Sequence, residues 1–161
     1  STKDFYGKYE SFISNTNWDD KSDFKNEIWP YFLTPNDQKN YFNSLINKFP
    51  DRKWDRKKIE VSWFNQYYAN SGSDHPWHHH AEGKLTPYVK NYCKDFTNIY
   101  YVELDDKSLT TVLRVPDTEE EIIPDVKEGQ ILTFSADILH KSPRNFTNSR
   151  KTVISFNVIF N

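Results

Sequence analysis

A mainly β fold, a sandwich or jelly roll preceded by a helical flank, is predicted for this chain by three observations. The hydrophobic period becomes two at Ile59. From there to Phe160 several short strand-like runs follow one another, with turn-forming residues between them and no helical pattern among them. The chain's 161 residues suffice for one domain with a sizeable core. Its expected division is a flank over residues 1–58 and a β core over 59–161.

The elements can be justified in order. Phe5, Tyr9, Phe12, Trp18 and Trp29 give the first thirty-odd residues an aromatic character without a readable period, as in an irregular flank packed on a core. Thr34-Pro35-Asn36-Asp37 is a helix start, with Thr as the cap, Pro at the first helical position and Asp three residues past the cap. Phe42, Leu45, Ile46 and Phe49 then recur at helical spacing until Pro50. The run Asp51-Arg52-Lys53-Trp54-Asp55-Arg56-Lys57-Lys58 is the only basic cluster and reads as a solvated connector; a base stacked on Trp54 is the minor alternative.

Beyond it Ile59, Val61, Trp63, Asn65 and Tyr67 alternate with Glu60, Ser62, Phe64, Gln66 and Tyr68, a strand occupied on both faces. Further strands are expected at Thr97–Leu104, Leu109–Val115, Gln130–Ser135 and Lys151–Phe160. Gly72, Asp105-Asp106, Pro116-Asp117, Glu128-Gly129 and the stretch from Pro143 to Ser149 supply the turns.

Hydrophobic residues make up only 36%, yet aromatics reach 17% through five Trp, ten Tyr and twelve Phe. The core must therefore be built from few large side chains, each burying roughly 150–250 Å². Such a composition argues against disorder. Twenty-one basic residues against 23 acidic ones argue against a general electrostatic grip on nucleic acid or anionic membrane. No apolar run is long enough to span a bilayer, and Ser1-Thr2-Lys3-Asp4 lacks the shape of a secretory leader. The absence of Met, even at position 1, reads as a trimmed start. A lone cysteine, Cys93, suits a reducing compartment, so a cytoplasmic location is expected.

Four of the five histidines fall in His75-Pro76-Trp77-His78-His79-His80; Glu82 follows, and His140 lies sixty residues downstream. On an extended chain, residues i and i+2 point to one side, roughly 7 Å apart. His78 with His80, or His80 with Glu82, can thus converge on one metal, with His79 facing away. The bland reading is a histidine-rich surface loop. The C-terminal third weighs against it: a strand at Gln130–Ser135 leads to His140, and ten residues later Arg150-Lys151-Thr152 opens the last strand.

In this arrangement the chain resembles the 2-oxoglutarate- and Fe(II)-dependent dioxygenases, over about residues 59 to 161. Their pattern is His-x-Asp/Glu, a distal His and an Arg about ten residues on, often in Arg-x-Ser. The matching positions are the His78–Glu82 region, His140, and Arg150 with Thr152 in place of Ser. The likeness is greatest to small phage and marine-bacterial members, which combine a Trp-His segment with a Tyr-rich strand like Asn98-Ile99-Tyr100-Tyr101-Val102.

The resemblance implies a double-stranded β-helix that holds Fe(II), binds 2-oxoglutarate and O2, and hydroxylates a substrate with release of succinate and CO2. Two histidines and a carboxylate ordinarily hold such an iron. Members of this type commonly place the first ligand about ten residues after a tyrosine, and Tyr68 plus ten is His78. That implies His78, His80 and His140, with Glu82 in place of His78 as the open alternative. Arg150 would anchor the far carboxylate of 2-oxoglutarate, helped by Thr152, since a guanidinium meets a carboxylate with two parallel hydrogen bonds.

Asn65, Tyr67, Tyr101 and Asn157 are further candidates to touch 2-oxoglutarate or substrate, while Asp74 and His75 would shape the mouth. Cys93, in the insertion Gly83–Phe96, has no catalytic role. The substrate class stays open between a protein side chain such as prolyl and a small metabolite, and a homodimer is compatible with the sequence. A membrane partner is not expected, and the charge balance disfavours nucleic acid. The competing reading from another class is a cupin-like module that binds metal and a carboxylate without oxygen chemistry.

Overall fold

A computed structural model describes residues 11–15, 43, 47, 57–80, 96–115 and 118–160. Its strands are β1 (Ser11–Asn15), β2 (Lys57–Tyr67), β3 (His75–His78), β4 (Phe96–Leu104), β5 (Val112–Arg114), β6 (Glu121–Ile122), β7 (Gln130–Ser135), β8 (His140–Ser142) and β9 (Lys151–Phe160). They form two antiparallel sheets, a larger one in the order β1-β7-β4-β9-β2 and a smaller one in the order β3-β8-β5-β6. The predicted β-sandwich of the jelly-roll type is the observed fold.

The strand expectations hold with instructive shifts. β2 starts at Lys57, inside the supposed connector, because β9 is long enough to pair with it as far as Phe160. The run Leu109–Val115 is divided: Lys107–Leu109 is a single 3-10 turn, and only Val112–Arg114 is strand. Asp106 causes the break by accepting the Ser108 amide at 2.9 Å and its hydroxyl at 2.7 Å. β1 arises where no period was readable, paired with β7 from Ser11↔Phe134 to Asn15↔Gln130. Of the predicted helix, Asn43 and Asn47 are described; both are helical and exposed, as expected of its polar face. The rest of that helix, the basic run around Trp54, Glu82 and Cys93 lie outside the described residues.

The core fills the space between the sheets with residues from both. Ile99 and Tyr101 of β4, Leu132 and Phe134 of β7, and Val153 of β9 meet Leu113 of β5, joined by Leu109, Val126 and Ile138 from the connections. β4 lies between β7 and β9, and eight of its nine residues are buried, so this strand is covered on both faces. Its buried Asn98 accepts the Thr133 hydroxyl at 2.7 Å and donates to the Phe156 carbonyl at 3.3 Å, which satisfies the amide and ties three strands together.

Two loops at one end of the sandwich set the start of β9. Asn145, fully buried, donates to the Tyr67 carbonyl at 2.9 Å and the Ser149 carbonyl at 2.8 Å, and accepts the Thr147 amide and hydroxyl. Its own amide and carbonyl bond to Ser73 and Gly72, so loop 143–149 is stitched to loop 69–73. Gly72 is needed there: its φ is +68°, and a Cβ would meet Phe146 Cε1 at 3.0 Å.

Phe134 is fully buried, with its ring edge-on to His140 at 4.8 Å between centroids. Phe134→Ala is expected to cost about 3–5 kcal/mol of stability through the cavity it leaves. A shift of the denaturation midpoint at unchanged slope would register that loss.

Candidate metal centre

β3 and β8 are short, but their pairing does the assembly. In their antiparallel register His78 stands opposite His140 and His75 opposite Ser142, with an irregularity between. His80 lies two residues past His78 in a bend, pinned by its amide to the Ala136 carbonyl at 2.8 Å. The rings of His78 and His140 approach to 4.1 Å, His80 and His140 to 4.9 Å, and His78 and His80 to 5.2 Å. One ligand nitrogen from each of the three lies within 4.8 Å of the others. His79 is not part of this group, as strand alternation required.

Each ring is also turned the right way. Nδ1 of His78 donates to the Pro76 carbonyl at 2.7 Å, Nδ1 of His140 to the Ile138 carbonyl at 2.9 Å, and Nδ1 of His80 to Oδ1 of Asn157 at 2.8 Å. An imidazole that donates from Nδ1 keeps the Nε2 lone pair for a metal. Burial, the largest influence on His140, depresses its pKa to about 2 against the opposing pull of the Ile138 carbonyl. Burial likewise lowers that of His80, against its bond to Asn157. Both rings are therefore neutral at physiological pH, the state in which they bind metal. The donor set and its tautomers fit a divalent ion such as Fe(II).

The triad opens into a pocket between the sheets, lined also by Asn65, Tyr67, Thr111, Ser142, Lys151 and Ser155. Of the expected contacts, Asn65 and Tyr67 line it, and so does His75, stacked on His78 at 3.9 Å. Tyr101 stands behind the lining, fully buried, with its hydroxyl donated to Thr111 at 2.6 Å. Asp74 pairs with the exposed Arg144 at 3.4 Å. Asn157 sits behind His80 and not in the pocket.

The structure does not bring Arg150 and Thr152 to this pocket. Arg150 donates to Glu103 from Nε at 2.7 Å and from Nη2 at 3.4 Å, and the Thr152 hydroxyl bonds the same carboxylate at 2.7 Å while accepting Gln66 at 3.2 Å. The Glu103 carboxylate holds the Arg150 guanidinium above its ordinary pKa. The reason for the displacement is the period of two. Lys151, Val153 and Ser155 of β9 face the pocket, so Thr152 must face the other side.

The buried cationic side chain that the pocket does receive is Lys151, eleven residues after His140 instead of ten. It is 1% exposed, donates to Ser142 Oγ at 2.7 Å, and lies 5.2 Å and 5.8 Å from the ring centres of Tyr67 and Tyr101. No carboxylate among the described residues pairs with it, and burial pulls its pKa down to about 7. The inward row Val153, Ser155, Asn157, traced back one step, was the sequence signal that could have found it.

No family model matches the chain, and no curated protein matches it by sequence. The described strands form a jelly-roll sandwich in which three imidazoles are grouped as a metal ion could bind them, and the fold is similar to that of solved 2OG-Fe(II) oxygenases. The viral collagen prolyl hydroxylase of Paramecium Bursaria Chlorella virus-1, in its 2OG complex, is similar over 96% of this chain and 97% of its own, with 14% identity and a TM-score of 0.59. A 2OG-Fe(II) oxygenase family oxidoreductase from Burkholderia pseudomallei is similar over 83% of this chain and 57% of its own, with 12% identity and a TM-score of 0.58. EctD from S. alaskensis with 2-oxoglutarate and 5-hydroxyectoine is similar over 66% and 45%, with 14% identity and a TM-score of 0.54. The chain thus spans about half the length of these two bacterial proteins. Among the described residues no helix is long and apolar enough to cross a membrane.

The buried Lys151 has a signed consequence for stability. Its pKa is about 7 in the folded chain and near 10.5 when unfolded, so the cost of burying its charge is fully present below pH 7. Between those values the unfolded chain binds the extra proton, and stability rises with pH. Lys151→Met is expected to be more stable than the parent by a few kcal/mol at pH 6, with the gap narrowing toward pH 10. Denaturant titrations of both proteins at the two pH values check this.

Proposed function

We propose that the chain is an Fe(II)- and 2-oxoglutarate-dependent oxygenase. One observation carries the reading: a buried cation that no carboxylate among the described residues pairs with shares a pocket with three imidazoles, each with a ligand nitrogen within 4.8 Å of the others. An isolated buried charge is costly, and a carboxylate ligand would relieve that cost. His78, His80 and His140 would hold Fe(II), and the bound metal with 2-oxoglutarate and O2 would supply the oxidation of a substrate C–H bond, with succinate and CO2 released.

The protein's own part is binding and orientation. Lys151, with the Ser142 hydroxyl beside it, would take the far carboxylate of 2-oxoglutarate as a point charge; Arg150, committed to Glu103, would serve the opposite face of β9. Three neutral ligands leave a divalent ion its full charge, so ion and lysine together suit a dianion. Asn65, Thr111 and Ser155 add hydrogen-bonding groups along the walls. The likeness to a collagen prolyl hydroxylase over nearly the whole of both chains supports a prolyl side chain as the substrate class.

The experiment measures succinate formed from 2-oxoglutarate in air with Fe(II), together with 2-oxoglutarate affinity. The parent is expected to form succinate slowly even without substrate. Lys151→Ala should weaken 2-oxoglutarate binding about 10- to 100-fold at unchanged metal affinity, while Arg150→Ala should leave it nearly intact. The reverse pattern returns the anchor to Arg150, and metal binding without any succinate makes the chain a binding module. Glu82→Gln is expected to leave iron affinity unchanged; a collapse on that substitution would replace His78 with the carboxylate in the ligand set.

A further inference from the structure

Two of the three imidazoles are aimed by the backbone they grow from. The carbonyls that hold His78 and His140 belong to residues two positions earlier in the chain, so those contacts come with the local fold. His80 differs. It lies beyond the end of β3, outside the ladder, and its Nδ1 is met by a side-chain oxygen from the far end of the sequence, Asn157 of β9, at 2.8 Å.

Asn157 is well placed to be a fixed acceptor. Its backbone is paired on one side with Thr97 of β4 and on the other with Val61 of β2. Strand alternation puts it on the face of β9 that presents Lys151, Val153 and Ser155, yet it stops behind His80 and does not line the pocket. An amide carbonyl accepting from Nδ1 holds a ring in one tautomer and one plane with its Nε2 lone pair free, as carbonyls and carboxylates do behind metal-bound histidines.

We infer that Asn157 is a positioning residue for the metal centre, acting through His80 and not by touching cosubstrate or substrate. This rests on the metal-binding part of the proposed function and on none of its oxygen chemistry. The last strand would then serve the pocket twice, with Lys151 at one end and the His80 orienter at the other.

The test is titration of the full chain with Co(II), followed by the visible absorption of the bound ion, for the parent and for Asn157→Leu, Asn157→Ala and Asn157→Asp. Leu and Ala remove the acceptor, and each is expected to weaken Co(II) binding about 10- to 100-fold and to alter the spectrum. Asp restores an acceptor oxygen and should bring affinity and spectrum back to about the parental values. The inference is overturned alone if the parent binds Co(II) and the Leu and Ala variants bind it equally well. It is also overturned if Asp falls as far as Leu, or if the variants lose thermal stability without losing affinity. A parent that binds no Co(II) overturns the metal reading together with this one.

Discussion

The pairing of β3 with β8 is the constraint on which the site depends. Only four and three residues long, the two strands set His78 across from His140, while the bend after β3 brings His80 to the same point. β8 also pairs with β5, where Leu113 stands opposite His140 in the ladder and joins the core. The edge of Phe134 closes against the His140 ring from the larger sheet. Hydrophobic burial thus fixes the imidazole that is itself most buried, and the two more exposed ones are arranged around it.

The electrostatics follow from that frame. Burial keeps His140 and His80 neutral, because a charge on either ring would be desolvated and would be repelled by its neighbours. The same desolvation acts on Lys151, whose hydroxyl and aromatic neighbours temper it without neutralising it. The pocket thus gathers three imidazoles and a buried amine that no carboxylate among the described residues pairs with. Folding stability is spent to keep it so, which is the usual relation between a binding site and the fold that carries it.

Much of this was legible in the sequence, for physical reasons that can be named. Alternation over Ile59–Tyr68 and the C-terminal run marked β2 and β9, since a strand packed on a core cannot hide its period. The i, i+2 spacing of His78 and His80 marked two members of the imidazole group, because extended geometry brings such residues to one side. The buried cation that lines the pocket stands one residue beyond the one that spacing singled out. Spacing from His140 pointed to Arg150, but a shift of one position on a strand exchanges its faces, and spacing alone cannot settle the phase. The bond between Asn157 and His80 spans 77 positions and left no local mark at all. β1, β3 and β8 are equally silent, being too short to show a period.

The position of β9 in the chain carries a consequence for biosynthesis. Every other described strand precedes it, and it inserts between β2 and β4 with Lys151 and Asn157 on its inner face. A nascent polypeptide that has not yet delivered this segment already displays all three imidazoles, but it lacks the ammonium and the amide that complete their surroundings. Closing the gap between β2 and β4 is a long-range event, slow compared with the local hairpins before it. A chain cut before Lys151 would therefore keep all three imidazoles and lose the two β9 side chains, Lys151 and Asn157, that stand beside them.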